Sequence, residues 1–305
     1  MIHKRNVAMV LMAVSVLSLV VAAADKPAPR SVDPAYQQSF DKWKSGLIED
    51  LKKEWLPLAG LFWLKPGDNT FGTDSKNAIV FPKGPAQAGT FVLLGKTVTA
   101  KFSPSAGAII AGKQLTNAEL QTDRAGDPTI VEIGSLRLHV IVRGERVGIR
   151  VKDLNSDAVR QYRGPLFFPL DLSYRVTAEW VPSDGKQTVD VPNVLGDLTP
   201  TPAAGTAIFR INGKQVKLTD LGGDPAQQLF FVFSDPTSKT NTYPGGRFLK
   251  AGPVTNGAVV LDFNRAYNPP CSVTPYATCP LTPRENRLSV PIEAGEQYDH
   301  KSGHH

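Results

Sequence analysis

The sequence predicts an all-β protein, an antiparallel sandwich or barrel, with one amphipathic helix near its N terminus. Three observations predict this fold class. The 305 residues include 26 glycines and 25 prolines, a content typical of many turns and few long helices. Two segments fit β-hairpins residue by residue. Only one segment, which ends before Pro57, has helical periodicity over more than one turn.

The first 24 residues are predicted to be a signal peptide. Residues 3–5 are basic, residues 7–21 form an uncharged apolar run, and three alanines follow at 22–24. This order is typical of export signals, so we expect cleavage before Asp25. The alternative is an uncleaved N-terminal anchor. The interpretation places the protein in the periplasm or outside the cell, with no transmembrane span in the mature chain.

The helix is predicted to begin at Asp33-Pro34, an N-cap residue followed by proline at the first helical position. Apolar residues then recur every three or four positions and form one stripe. The stripe consists of Tyr36, Phe40, Trp43, Leu47 and Leu51. We expect it to pack on the sheet core; the alternative is that it binds a partner.

The first hairpin is predicted over residues 136–152, with Gly144-Glu145 as a two-residue type II′ turn. This register places three apolar pairs on one face. The pairs are Val142–Val147, Val140–Ile149 and Leu138–Val151.

The second hairpin joins residues 207–211 to residues 214–218 through Asn212-Gly213, a strong hairpin signal. It pairs Phe209 with Val216 and Ala207 with Leu218. Further β-rich runs predict strands at 78–81, 90–94, 98–102, 174–181, 188–191, 229–233, 258–263 and 287–292.

These elements suggest a domain organisation. The predicted parts are the signal peptide (1–24), an N-terminal segment with the helix (25–56), a first β half (57–152), a second β half (153–298) and a polar tail (299–305). The hairpin at 136–152 could instead join both halves in one core.

The composition excludes several classes of function. With 41% hydrophobic and 20% charged residues, the chain is neither disordered nor fibrous. The formal charge of +6 lacks the clustering of a nucleic-acid surface. The region between signal and tail holds one histidine, His139, and we expect it to be neutral because arginines lie nearby. No Gly-x-Ser-x-Gly elbow is present, which disfavours a Ser-His-Asp triad, and no P-loop or dinucleotide fingerprint is present, so we expect no nucleotide cofactor. We expect no metal site either, because a zinc site would have to take its histidines from the tail.

The polar face of the first hairpin is strongly basic. It carries Arg137, Arg143, Arg146, Arg150 and Lys152. We expect acids such as Glu132, Glu145 and Asp153 to neutralise it. The alternative is an anion site, in which Arg150 is a candidate ligand-binding residue.

The C-terminal block carries the chemistry of a polar ligand site. Amides can orient a ligand, aromatic rings can stack on it, and a stiff loop can hold both. The candidate ligand-binding residues are Arg247, Asp262, Asn264, Tyr267 and Asn268. The leading hypothesis is a binding module for a small polar molecule or saccharide. The structural alternative is a hydrogen-bonded knot that only holds the loop.

Two other functions stay open. One is a hydrolase that uses a carboxylate pair, Asp262 with Glu293 or Glu296. The other is a structural or interaction protein of the cell envelope, with an unknown protein partner. The sequence leaves enzymatic activity undecided.

The two cysteines, Cys271 and Cys279, are eight positions apart in a proline-rich segment. Export would place them in an oxidising compartment, so we expect a disulfide between them. The alternatives are two buried thiols or one reactive thiol.

Several of these segments resemble a known family. Asp-Phe-Asn-Arg-Ala-Tyr-Asn-Pro-Pro-Cys (262–271), Pro-Tyr-Ala-Thr-Cys-Pro-Leu (275–281), Glu-Asn-Arg-Leu (285–288) and Ile-Glu-Ala-Gly-Glu (292–296) resemble the signature of a bacterial family of exported proteins known only as a domain of unknown function. Shorter blocks at 60–64, 148–151, 191–196 and 245–248 are similar to its other motifs. The family brings no assigned activity and implies no catalytic roles.

A second resemblance concerns the first β half. Residues 64–80 resemble the opening of a forkhead-associated (FHA) sandwich. Thr73 stands where the phosphate-binding arginine of that family would be, and no His-Ala pair follows. The resemblance therefore implies the sandwich without phosphothreonine recognition.

Overall fold

The computed structural model describes residues 32–300. The predicted signal peptide and the end of the polar tail, residues 301–305, lie outside the described residues. Strands make up 41% of the structure, mostly in antiparallel sheets, and helices 18%. The predicted all-β class with an N-terminal helix is therefore confirmed.

Helix α1 spans Pro34–Asp50 and continues as one π-helical turn, Leu51–Trp55. The Asp33 carboxylate accepts a hydrogen bond from the Tyr36 backbone N–H at 2.8 Å, so Asp33 caps the helix as predicted.

Helix α1 packs on the C-terminal half of the protein through its apolar stripe. The Phe40 ring is buried and meets the Phe167 ring edge-on, with centroids 5.4 Å apart. Trp43 contacts the same ring at 5.8 Å. The expected docking of the stripe on the β body is thus seen for Phe40, whereas Trp43 is only half-buried.

The N-terminal half contains eleven strands. They are β1 (Leu58–Trp63), β2 (Gly67–Gly72), β3 (Ile79–Val80), β4 (Gly89–Leu94), β5 (Thr97–Phe102), β6 (Ile109–Ile110), β7 (Lys113–Gln114), β8 (Asn117–Leu120), β9 (Val131–Ile133), β10 (Leu136–Arg143) and β11 (Arg146–Asp153). They form one sheet in the order β1-β11-β10-β9-β6-β7 and another in the order β3-β2-β4-β5-β8. Both sheets contribute to one buried cluster, which includes Phe71, Phe91, Val140 and Ile149. The FHA-like character of this half stays a prediction.

The predicted register of the first hairpin is confirmed at all three apolar pairs. Gly144 has a positive φ of 57° and Glu145 does not, which is the backbone of the predicted type II′ turn. The apolar face joins the core of the N-terminal half. The basic face is therefore turned away from that core, because successive side chains alternate between the two faces.

The C-terminal half begins with a five-residue helix, α2 (Asp157–Gln161), that the sequence did not predict. Eight strands follow. They are β12 (Arg175–Pro182), β13 (Thr188–Pro192), β14 (Leu198–Pro202), β15 (Gly205–Ile211), β16 (Lys214–Thr219), β17 (Leu229–Phe233), β18 (Arg247–Ala251) and β19 (Ala258–Asp262). Strands β16-β15-β12-β19 form one sheet, and β13-β14 and β17-β18 form two hairpins. The register predicted for β15 and β16 is confirmed.

Short 3₁₀ turns connect many of the strands. Those in the C-terminal half are Leu172–Tyr174, Pro236–Lys239, Phe263–Arg265, Pro270–Ser272 and Arg284–Asn286; the N-terminal half has Pro104–Ala106 and Asp123–Ala125. Two buried clusters fill the C-terminal half, and the smaller one also packs against Trp55.

The strand predicted at residues 287–292 is wrong. This segment is irregular apart from one bridge between Ser234 and Arg287. Beyond this bridge, the backbone of Ile292 bonds to side chains instead of a neighbouring strand: the Ile292 N–H donates to Asp235, and the Ile292 carbonyl accepts from Arg247.

Acids neutralise most of the basic hairpin face, but only one of the three expected acids takes part. Glu132 pairs with Arg137 as expected. The other partners are Asp123 for Arg143, Asp197 for Arg146 and Glu54 for Lys152. The expected acids Glu145 and Asp153 instead pair with Lys96 and Lys83.

Candidate functional site

A cleft of about 890 Å³ lies between helix α1 and the C-terminal half, a size within the ordinary range of ligand sites. Five aromatic side chains line it, and we call it the aromatic cleft. They are Trp43, Trp55, Phe230, Phe248 and Tyr267. Of the predicted site residues, Tyr267 and Asn268 line this cleft.

Four of the five rings form a continuous series along the cleft. Trp43 contacts Tyr267 with centroids 6.4 Å apart, Tyr267 contacts Phe248 at 5.7 Å, and Phe248 contacts Phe230 at 5.1 Å. All three contacts are edge-to-face, a favourable geometry for ring quadrupoles. Three of these rings, all except Phe248, remain half-exposed.

Three separate chain segments bring these rings together. Trp43 and Trp55 come from helix α1 and its π-helical turn, and Phe230 and Phe248 come from β17 and β18. Tyr267 follows β19 in the C-terminal signature. Its backbone pairs with Phe248 through two hydrogen bonds, from the Phe248 N–H at 2.8 Å and from the Tyr267 N–H at 3.0 Å.

The rim of the aromatic cleft is mostly positive. Lys42, Lys250 and Arg265 lie on it, opposed by Asp50. The Arg265 guanidinium donates to the Ser39 hydroxyl at 2.6 Å and lies 3.5 Å from the Asp262 carboxylate. The two lysines are exposed.

Asp262 connects the signature to helix α1. The Tyr36 hydroxyl lies 2.9 Å from both carboxylate oxygens and donates to Asp262. The Asn264 amide donates to the same carboxylate at 3.2 Å and to the Asp171 carbonyl at 3.0 Å. Burial, followed by the Asp262 charge, raises the pKa of Tyr36. Asp262 and Asn264 thus hold one wall of the cleft without lining it.

Arg247 is fully buried and does not line the aromatic cleft. Its guanidinium donates to the Asp235 carboxylate at 2.8 Å, to the Ile292 carbonyl at 3.0 Å and to the Ala294 carbonyl. Burial lowers the pKa of Arg247, and the Asp235 charge opposes that shift. The Arg247 side chain therefore connects β18 to the irregular C-terminal segment.

A second cleft of about 390 Å³ lies behind the signature, and we call it the Glu296 cleft. Glu296 and Asn268 line it together with Tyr162 and Tyr298. Glu296 accepts a hydrogen bond from the Asn268 backbone N–H at 2.8 Å. Burial raises the pKa of Glu296 to about 8, because a carboxylate loses hydration when it leaves water.

The three candidate catalytic carboxyl groups do not share a cleft. Glu296 lines the Glu296 cleft, whereas Asp262 and Glu293 line neither of the two clefts. Asp262 is engaged by Tyr36, Asn264 and Arg265. The geometry therefore gives no observation in favour of carboxylate-pair hydrolysis.

The expected disulfide is not formed, and Cys271 and Cys279 are free thiols. A hydrogen bond joins the two residues: the Cys271 backbone N–H donates to the Cys279 sulfur at 3.2 Å. The Tyr243 hydroxyl donates to the Cys271 sulfur at 3.4 Å. The hydrogen bond from Cys279 lowers the pKa of Cys271, and the same interaction raises that of Cys279. Chain spacing and compartment alone could not show this bonding.

Arg150 lies outside both clefts, on the basic hairpin face. Its side chain is 7% exposed, and its Nε and Nη2 atoms have no hydrogen-bond partner. The guanidinium lies 5.7 Å from the ring centroid of Trp55. Burial, followed by the Arg143 charge, lowers the pKa of Arg150 to about 10. Arg150 therefore supports a wall residue of the aromatic cleft from behind.

Metal and membrane features are not found in the described part of the chain. Within residues 32–300, no group of three or more His, Cys, Asp or Glu side chains is placed to hold a metal ion. No helix in this range is long and apolar enough to cross a membrane.

The C-terminal half carries the family resemblance. Residues 160–297 match the family described as "Protein of unknown function (DUF1684)". The predicted resemblance to a family of unknown function is thereby confirmed for this part of the chain. No curated protein matches the sequence.

A solved structure also matches the chain. It is the solution NMR structure of an uncharacterized protein from Haloarcula marismortui, at 29% identity and a TM-score of 0.39. The match covers 47% of this chain and 80% of that one.

Sequence reasoning missed most of the aromatic lining. The sequence patterns place Trp43 in the helix stripe and Phe230 in a strand, and they assign neither residue to a binding site. A usable signal was the unbroken apolar run Leu229–Phe233, since a strand that is apolar at every position has both faces covered. Phe231 and Phe233 face the main C-terminal core, and Phe230 faces the cleft.

Proposed function

We propose that the protein is a binding module whose aromatic cleft takes a small saccharide that carries an acidic group. The series of four rings from Trp43 to Phe230, three of them half-exposed, is the observation that carries this proposal. Rings left open in a concave site supply apolar faces against which a sugar ring can stack. A cleft of this size favours ligand binding over a purely structural role.

The charged rim supports an acidic ligand. Lys42, Lys250 and Arg265 outnumber Asp50 around the opening. Lys250 is exposed and has no ion pair among the described residues, so its ammonium group is available to a carboxylate. Arg265 is already oriented by Ser39 and Asp262, which reduces the entropy cost of holding a bound anion.

The residues of the C-terminal signature have two roles in this proposal: some hold the wall of the aromatic cleft in place, and others line it. Asp262 and Asn264 fix the signature against helix α1, and Tyr267 presents its ring to the cleft. Asn268 supplies an amide at the inner end of the same wall. In this proposal, Tyr267 contacts the ligand, whereas Asn268, Asp262, Asn264 and Arg247 maintain the site.

The test is a titration of the purified protein with oligosaccharides of glucuronic and galacturonic acid, followed by tryptophan fluorescence and calorimetry. Two of the four tryptophans line the cleft, so binding should change the emission. We expect Lys250→Gln to weaken the acidic sugar about threefold to tenfold and Trp43→Leu to weaken it further. Neutral sugars of equal length should bind less tightly and be insensitive to Lys250→Gln.

Lys217→Gln is the matched control, since Lys217 is an exposed strand lysine outside the cleft. It should leave binding unchanged. The proposal is wrong if neither acidic nor neutral sugars bind, or if Lys217→Gln and Lys250→Gln have equal effects.

We also propose that the protein is exported to the periplasm or secreted. The support is the order of basic, apolar and small residues in positions 3–24. Expression in a bacterial host, fractionation and N-terminal mass determination test it. We expect an N terminus at Asp25 in the exported fraction; an intact chain in the cytoplasm contradicts export.

A further inference from the structure

The Glu296 cleft contains a buried acid without a cationic partner. Glu296 is 6% exposed, and no ion pair to it is formed by the described lysines and arginines. The charges of Arg247 and Lys44 act on it, but Arg247 is paired with Asp235 and Lys44 forms no ion pair with it. A buried carboxylate without a paired cation is costly, so this site favours either a proton or a bound cation.

A second buried acceptor lies beside this acid. Asn268 is 5% exposed, and its side-chain oxygen has no hydrogen-bond partner. Its amide nitrogen donates to the Gln297 carbonyl at 3.0 Å, which leaves the oxygen as the unpaired end. A buried acceptor left unpaired is a destabilising feature, and a donor group on a ligand would satisfy it.

The rest of the cleft combines apolar and charged groups. Leu56, Pro165 and Val273 form an apolar wall, and Arg163 and Asp299 bring one charge of each sign. The volume of about 390 Å³ accommodates a small organic molecule but not a polymer. The end of the cleft that holds Glu296 and Asn268 is thus suited to a group with several N–H donors. The apolar wall is suited to a short alkyl chain.

We propose that the Glu296 cleft binds a small alkylammonium ion, whose N–H groups donate to the Glu296 carboxylate and to the Asn268 side-chain oxygen. This site is separate from the saccharide site proposed above, although Asn268 lies between the two clefts. The ligand class follows from the donor groups and positive charge that the two acceptors require.

Binding at this site is linked to a proton. Burial holds the pKa of Glu296 at about 8 against the hydrogen bonds from Asn268 and the charges of Arg247 and Lys44. Tyr162 and Tyr267 also face Glu296, and its charge contributes to their raised pKa values. At neutral pH, the acid therefore carries a proton. When an ammonium ion enters, the O–H bond of Glu296 breaks and the proton passes to the buffer.

The test is calorimetry of the purified protein with ethylammonium chloride between pH 6 and pH 9, in two buffers of different ionisation enthalpy. The apparent affinity should rise about tenfold per pH unit at low pH and level off above pH 8. The difference in heat between the buffers should correspond to release of about one proton at pH 6–7.

Glu296→Gln should abolish binding, and Glu293→Gln is the matched control because it removes an exposed glutamate outside the cleft. Glutamine has the shape of a protonated glutamate, so the variant should fold.

If the variant does not fold, proton release by the wild-type protein tests the proposal by itself. Binding of ethylammonium without proton release overturns the proposal. Absence of binding at 50 mM ethylammonium, or equal binding by Glu296→Gln, overturns it too. Lys250→Gln should bind ethylammonium normally, so failure here leaves the saccharide proposal standing.

Discussion

The guanidinium of Arg247 lies 2.8 Å from the carboxylate of Asp235, and neither side chain is exposed to solvent. Asp235 also accepts from the backbone N–H groups of Thr237 and Ile292. The pair therefore joins β18, the 3₁₀ turn after β17 and the irregular C-terminal segment. Its position explains why a residue predicted to bind ligand instead serves the fold.

Arg247→Ala is expected to lower the free energy of unfolding by about 3–5 kcal/mol, because it leaves the Asp235 carboxylate buried without a counter-ion. Urea denaturation measures the change. The control is Arg146→Ala, whose ion pair with Asp197 is partly exposed and should contribute far less to stability. Equal losses in the two variants would contradict a structural role for the buried pair.

Gly295→Ala is expected to destabilise the protein by about 2 kcal/mol or more. Gly295 has a φ of 81°, and a β-carbon there would lie 2.6 Å from the Ala266 carbonyl oxygen. Strain and close approach to the backbone act together at this position. Gly252→Ala is the control, since no atom lies within 4 Å of the added carbon. Thermal unfolding that shifts equally in both variants would refute the argument.

Glu296 is expected to reduce the free energy of unfolding as pH rises. An acid in an ion pair has the opposite effect, because its stabilising contribution is lost as pH falls. Its pKa is raised from 4.5 to about 8 in the folded state, so folding favours the protonated form. The stability that Glu296 contributes should be greatest below about pH 4.5, fall as pH rises to 8, and then level off. The loss is on the order of 5 kcal/mol at most.

Urea denaturation of wild type and Glu296→Gln at pH 5, 7 and 9 isolates this contribution. The difference between the two proteins should grow in favour of the glutamine variant as pH rises. A difference that stays constant over this range would show that Glu296 titrates normally.

His139 is expected to reduce stability on acidification. Burial, followed by the charge of Arg150, lowers its pKa from 6.5 to about 4 in the folded state. The unfolded chain binds a proton below pH 6.5 that the folded chain does not, so stability should fall between pH 6.5 and 4. His139→Gln should remove this fall in the free energy of unfolding, which is on the order of 3 kcal/mol at most. A proton resonance titration with a midpoint near 6.5 would contradict it.

Local sequence rules were sufficient wherever neighbouring residues decide the structure. The Asp33-Pro34 start of the helix and the turns at Gly144-Glu145 and Asn212-Gly213 follow from capping and from positive φ angles. The turn fixes the register of each hairpin, and alternation then fixes which face is apolar. That is why the β10–β11 pairing could be predicted pair by pair.

The candidate site was only partly predictable. The signature identified the correct segment, and Tyr267 and Asn268 line a cleft there. The remaining lining comes from Trp43, Trp55 and Phe230, which lie far away in the chain. No local pattern relates a helix before residue 57 to a hairpin after residue 228, because packing of helix α1 on the C-terminal half creates the cleft.

The sequence by itself determined the all-β class, the N-terminal helix, both hairpin registers and the family resemblance of the C-terminal half. Only the tertiary structure decided what the polar signature residues do. Arg247 and Asp262 are equally polar in the sequence, yet one is fully buried against Asp235 and the other joins Tyr36 of helix α1. Burial and long-range pairing depend on which segments meet in space. The residues next to a charged residue in the sequence do not show which distant residue it will pair with.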